Sequence, residues 1–306
     1  GLSYLGLFEA IGVRDHNAFL NILTPQALHA DLELKKECVQ ALKNYEHAAL
    51  TDQQRLSYAI IGWMLEHAVA GQKFLFHEYK LNQMFGVLSD ISSTFTRYHR
   101  LESSHDAQLY VTRLQKIPQQ LQEFIQLLDH QKNLGIVTPI FALEKVINTL
   151  KKTVPLHVTE CFLYTHLKDR CLVIARADEY PAQAQCILQD QVYPAYQRLL
   201  SYCQQLHAGG DNEHGVWALP DGDAYYQHCL IRHTTTNLTA DEIHELGIQE
   251  VASIQKAMRH ILAQMGIRDD SKSVGHLMQE LAQDQKFYFP STQAGRQQCL
   301  AHYEAI

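Results

Sequence analysis

Histidine followed by glutamate on a helix opens a familiar zinc-hydrolase motif, and this chain carries that pair at His77-Glu78 and at His244-Glu245. The H-E-x-x-H helix works because a second His one turn on turns both imidazoles toward one ion, while the Glu between them activates a water. The residue one turn after His244 is Ile248, and no His follows His77-Glu78 within the next few positions. Glu245 also lies roughly 200° around the helix from Ile243 at about 100° per residue, away from the apolar stripe. Neither pair is a zinc motif. Asp241, Glu242 and Glu245 read instead as acids favoured by the positive end of a helix dipole.

Other reactive side chains are no better arrayed. His228 and His233 are five apart, about 140° out of alignment on a helix, so they do not form a ligand pair. Cys229 lies between them, but nothing local marks it as an activated nucleophile, and a free cysteine is most often a small buried hydrophobe. The sequence holds neither a G-x-S-x-G elbow nor a Walker A loop. The stretch that remains for substrate contact is 225–235. Tyr225, Tyr226 and His233 can donate to a developing oxyanion, and Thr234 and Thr235 can bind a peptide backbone. The plainer reading is that the tyrosines anchor a loop and that Thr234 to Thr236 satisfy backbone groups ahead of the next helix.

The elements that must position these residues read as almost entirely helical. Thr239 stands as an N-cap with Glu242 as its capping-box partner, and Ile243, Gly247, Val251, Ile254, Met258, Ile261 and Met265 form a stripe expected to be the buried face of a helix over 240–265. Similar periodicity predicts helices over 26–44, over 52–70 with Thr51 as cap, and over 105–116. Pro118 and Pro139 are placed as first-turn prolines of helices over 118–131 and 139–152, the second ending on the basic Lys151-Lys152. A pattern over 180–207 contains Pro194, which should kink or split it. Further helices are expected over 223–233 and 272–284, and a last one opened by Ser291. Strand-like alternation is nearly absent, with Phe287-Tyr288-Phe289 the main candidate. The expected fold is mainly α, an irregular multi-helix assembly forming a single region over 1–306. Its Gly-, Asp- and Asn-rich stretch 207–222, with a Pro-Asp-Gly turn, is a place where it could subdivide.

With 306 residues and ordinary apolar content the chain can bury a large core without staples. No apolar run approaches the roughly 18 residues of a membrane span. A net charge of −7 without a basic block argues against nucleic acid. Seven scattered cysteines with no C-x-x-C suggest neither a zinc knuckle nor a redox pair. The chain starts Gly1-Leu2 without a visible signal, which leaves a cytoplasmic, periplasmic or lipoprotein location open; both termini read as cut boundaries, not natural ends.

Five ordered stretches carry a family resemblance: YKLNQMFGV (79–87), DAQLYVTRLQKIP (106–118), LGIVTP (134–139), VYPAYQRLLSY (192–202), and the long GVWALPDGDAYYQHCLIRHTTTNLTADEIHELGIQEVASIQKAM (215–258). Together they resemble the bacterial domain of unknown function 885 family, regarded as zincin-like metallopeptidases. The resemblance implies a helical fold whose zinc site is built largely from the C-terminal half, where a His-Glu pair is followed by Pro-Gly-His and a further acidic ligand. None of the eight prolines here is followed by Gly. The chain therefore resembles the N-terminal half of a family member, and no metal ligand of the family carries over to any position.

The resemblance also implies a function. The full-length protein would hold zinc, lower the pKa of a bound water and hydrolyse a peptide-like substrate, and this half would supply scaffold and cleft wall but no cofactor site of its own. Its expected partner is the missing C-terminal half of the same protein, and alone it should self-associate through uncovered apolar surface. The alternative is a helical scaffold or interaction module that never carried a metal.

Overall fold

The computed structural model describes residues 11–82, 84–153, 157–210 and 215–305. Among them there are only helices, turns and loops, with no strand, and no helix is long and apolar enough to cross a membrane. The chain divides into two compact units, Gly1–Arg232 and His233–Ile306.

In the first unit the helices are α1 (Pro25–Leu42), α2 (Asp52–Ala70), α3 (Val87–Ser93), α4 (Ser104–Leu114), α5 (Ile117–Asn133), α6 (Ile140–Thr153), α7 (Phe162–Cys171), α8 (Tyr180–Ile187), α9 (Tyr193–Ala208) and α10 (Gly222–Thr234). The last two residues of α10 fall in the second unit, which holds α11 (Ala240–Gln264), α12 (Val274–Leu281) and α13 (Gln293–Glu304). Local signals account for most of these starts. Thr51 accepts from the Gln54 amide while the Gln54 side chain accepts from the Thr51 amide, and Ser103 and Asp106 form the same reciprocal box on α4. Pro118 sits in the first turn of α5, where its missing N–H costs nothing.

The pattern over 180–207 is interrupted ahead of Pro194 as the sequence predicts: a π-helical turn, Leu188–Val192, separates α8 from α9, and the proline stands in the first turn of α9. Two features depart from the sequence reading. Phe287-Tyr288-Phe289 is no strand, because Gln285–Phe287 form a 3-10 turn and the Tyr288 hydroxyl donates to the Ala282 carbonyl at 2.7 Å. The short α3 and α7 have no counterpart in the sequence pattern; each is too brief to show a clear period.

The core of the first unit lies among α4, α5, α6, α7, α8 and α9, with Tyr110, Leu114, Ile117, Leu121, Leu143 and Leu167 almost wholly buried. Tyr110 reaches across it, its hydroxyl donating to the Leu163 carbonyl at 2.9 Å. The most deeply buried charged group there is densely paired. Arg113 on α4 donates to the carbonyls of His16 and Phe19, to Asn17 Oδ1 and to His99 Nδ1, all between 2.9 and 3.0 Å. A guanidinium only donates, so His99 Nδ1 must accept and its Nε2–H donates to the Asp106 carbonyl at 2.9 Å. Burial first, then the Arg113 charge, pushes His99 down to about 3. Burial alone would raise the Asp106 carboxyl, but hydrogen bonds from Arg14, at 2.7 and 2.8 Å, and from Ser103 outweigh it and hold the group below its ordinary value. This network pins the segment before α1 onto α4.

The second unit is built differently. Thr239 and Glu242 cap α11 as the sequence predicts, yet Leu262 is the single buried residue of that helix, and Val274 and Leu277 of α12 complete the buried apolar set of the unit among the described residues. The expected buried stripe is largely open: Val251, Ile254 and Ile261 are each 54% exposed.

Candidate functional site

Helix α10 begins at a turn that fixes its direction. Asp221 takes a left-handed backbone, φ 51°, and a Cβ on Gly222 would stand 2.1 Å from the Val216 carbonyl oxygen, so the Pro-Asp-Gly sequence is the one that closes this corner. His77 fastens it from the other side, its Nε2–H donating to the Pro220 carbonyl at 2.8 Å. A carbonyl only accepts, which fixes the tautomer and leaves Nδ1 as a bare acceptor, buried and without a partner among the described protein atoms.

Once the corner is set, Tyr225, His228 and Cys229 fall on one face of α10 by three- and four-residue spacing. That face meets the end of α2 and the 3-10 turn Gln72–Phe74 that follows it. His228 stacks on His67 with ring centroids 4.0 Å apart and planes 4° from parallel; Trp63, one turn earlier on α2, stacks on His67 at 5.2 Å and 8°. Phe74 packs against His77 at 5.0 Å and against Tyr225 and His228 at 5.4 Å, while Tyr225 lies 5.0 Å from His77. Gly71 makes the close approach possible: a Cβ there would come within 2.4 Å of His228 Nε2.

The electrostatics favour the neutral form of two of these imidazoles. Burial lowers His67, with the Arg232 charge adding to the effect; burial lowers His228 too, followed by His67, Arg232 and Lys73. Burial raises the Tyr225 phenol, and the neighbouring Cys229 thiol raises it further, so the hydroxyl keeps its proton at any physiological pH and serves as a donor. Two neutral imidazoles, a phenol and two hydrocarbon-faced rings can hold a planar group by stacking and orient it by hydrogen bonds. They contain neither an activated nucleophile nor a paired carboxylate. Among the described residues no three His, Cys, Asp or Glu side chains stand close enough together to hold a metal ion.

The residues expected to contact substrate fall on both sides of the division at Arg232 and His233. In the first unit Tyr225 is half-buried against the core, whereas Tyr226 points outward and is 45% exposed. In the second, His233 is exposed. Thr235 sits at φ 57° with its hydroxyl donating to the Thr234 carbonyl at 2.7 Å, and the Thr234 and Thr236 hydroxyls bond each other at 2.9 Å. These threonines shape the turn between α10 and α11. The Asp211 to His214 part of the preceding loop lies outside the described residues.

Sequence reasoning passes over His67, His77 and His228 as a group. Its available signal is faint: His67 stands four before Gly71, and His228 three after Tyr225. Elsewhere in this unit a 270 Å³ cavity bordered by Ser89, Thr149, Thr153 and Tyr196 is less telling. Its hydroxyls donate back to their own helices, Ser89 to Gly86, Thr149 to Lys145 and Thr153 to Thr149.

The model of a family described as bacterial protein of unknown function (DUF885) matches residues 4–306. Among curated proteins none matches. A solved structure, titled "the putative lipoprotein from Colwellia psychrerythraea", has the same fold with a TM-score of 0.90 at 19% identity. The alignment covers 99% of this chain and 54% of that one, so this chain spans about half the length of the protein it matches.

Proposed function

Since the chain belongs to the bacterial family of unknown function 885, we propose that it is the helical N-terminal part of a zinc-dependent peptidase or amide hydrolase, contributing scaffold and cleft wall. The observation that carries this reading is the length: a chain matched by the family model almost end to end corresponds to only 54% of a solved protein with the same fold. In this reading the zinc ligands come from polypeptide outside this chain, as the family resemblance implies, and the residues here act on substrate binding and not on a catalytic step. Within this chain the residues offered for substrate contact are Tyr225 and Tyr226 on α10 and, separately in the second unit, His233, Thr234 and Thr235. Tyr225 supports the role by its place against His77 and Phe74 beside the Pro220 corner, with burial favouring its protonated, donating form.

The test is to read the natural gene past Ile306 and produce the full-length protein. It should hold about one zinc per chain and cleave peptides, and both zinc-dependent cleavage and its loss on changing the glutamate of a downstream His-Glu pair to glutamine are expected. Tyr226→Phe and His233→Ala should then raise KM for a peptide with little change in kcat. A full-length protein inactive against a peptide library would favour the alternative, a helical scaffold or interaction module, for which the exposed apolar residues of the second unit speak.

A further inference from the structure

We propose that the bare apolar stripe of α11 is a docking face for polypeptide of the same protein that continues beyond Ile306. The proposal rests on the reading just given, that this chain is one part of a longer protein, and it locates where the rest attaches.

The helix is 25 residues long, opened by a capping box, and strongly two-sided. Its apolar side runs through Ile243, Gly247, Val251, Ile254, Ile261 and Met265, and its polar side through Glu245, Gln249 and Lys256. A stripe of that length is the mark of a helix stabilised by tertiary packing, because isolated helices are marginal in water. Within its own unit, however, α11 is covered only near its C-terminal end, where Leu262 is buried and Arg259 donates to the Lys272 carbonyl at 2.7 Å. From Gly247 to Ile254 the stripe has no cover. Monomeric proteins rarely leave so continuous an apolar surface open.

Three observations choose the occupant. The solved protein of the same fold has nearly as much polypeptide again outside the part that matches this chain. The last helix, α13, ends at Glu304 in the same unit as α11, so chain continuing from it is tethered to the unit that carries the stripe, which raises its effective concentration there. The exposed Leu300 and Tyr303 on α13 extend the apolar character to that exit point.

The experiment places Val251→Asp with Ile254→Asp in both the 306-residue chain and the natural full-length protein and compares melting temperatures. The expected result is a fall of about 5 °C or more in the full-length protein and a change within about 1 °C in the shorter one. Gln249→Asp, on the polar side, should leave both unchanged. If the double variant of the full-length protein does not accumulate, Ile254→Ala gives the same comparison with a smaller shift. Equal melting of both full-length forms overturns the proposal. So does an equal loss in the shorter chain, which would mean the stripe packs on this chain itself. A full-length dimer that the double variant converts to monomer gives the face to a second copy, and a natural reading frame that stops at Ile306 removes the occupant altogether. Zinc content and peptide cleavage, measured on the same wild-type samples, judge the hydrolase reading separately from the docking face.

Discussion

Helix α4 in the first unit and helix α11 in the second are both amphipathic and both opened by a capping box, yet α4 has Ala107, Tyr110, Val111 and Leu114 sealed in the core while α11 buries Leu262 alone. Their local codes are equally good. What differs is the surroundings: α4 has α7, α8 and the segment before α1 packed on it, whereas α11 has α12 at one end. The lesson is that capping and periodicity write a helix, and a partner surface decides whether its stripe is used. The first unit should therefore respond to substitution through packing and buried pairing, and the second through local helix signals.

The sharpest way to break that contrast is Arg113→Ala. Its guanidinium satisfies two carbonyls, Asn17 and His99 at once, so removal strands several buried acceptors and should cost about 3 to 5 kcal/mol. Urea unfolding at pH 7 measures it; a loss under 1 kcal/mol would mean the network does not hold the segment before α1.

Acid titration of the same network comes next. A His held at about 3 in the folded state but ordinary when unfolded contributes stability that is complete above pH 6.5 and lost as pH falls toward 3. The unfolded chain takes up the proton throughout that window, so unfolding free energy should drop by roughly 1.4 kcal/mol for each pH unit below 6.5. Asp106, held low, is protonated more readily in the unfolded chain and steepens the fall at the acid end. His99→Gln should flatten the slope between pH 6.5 and 5, whatever it does to stability at pH 7.

Gly71→Ala tests the close approach of α10 to the end of α2. A methyl 2.4 Å from His228 Nε2 must displace the ring, for a cost of about 1 to 3 kcal/mol. In a His228→Ala background the same change should cost far less, because the atoms it strikes are gone. An additive double variant would show that the stacked imidazoles do not share that space.

The smallest effect expected is Thr239→Ala. Loss of the reciprocal bonds with Glu242 should cost about 1 kcal/mol, read as faster amide exchange in the first turns of α11 with the first unit unchanged. Propagation of that change into α4 would erase the distinction between the units.

Much of the fold was legible because its signals are short-range. Thr51, Thr239, Pro118 and the stripes of α1, α2 and α5 act over three or four residues, and those helices begin and end close to where the spacing predicts. The family resemblance was legible for the same reason, as ordered stretches of sequence. Around Tyr225 less could be read. The tyrosine stands out beside its Pro-Asp-Gly turn, but the rings that meet it, His77, Phe74 and His228, come from segments with no local mark of partnership. Thr234 and Thr235 read equally well as ligands for a peptide or as turn formers, and the spacing of hydroxyls cannot choose between those uses.

By itself, then, the sequence determined the helical class, the caps and breaks, the polar and apolar side of each helix, and the family, since each depends on neighbours along the chain. Only the tertiary structure decided that His67 and His228 stack, that His77 pins the Pro220 corner, that Arg113 gathers the segment before α1, and that the stripe of α11 is left bare. The reason is physical: burial and through-space pairing are properties of what stands opposite a residue, and distant stretches of chain supply that opposite side.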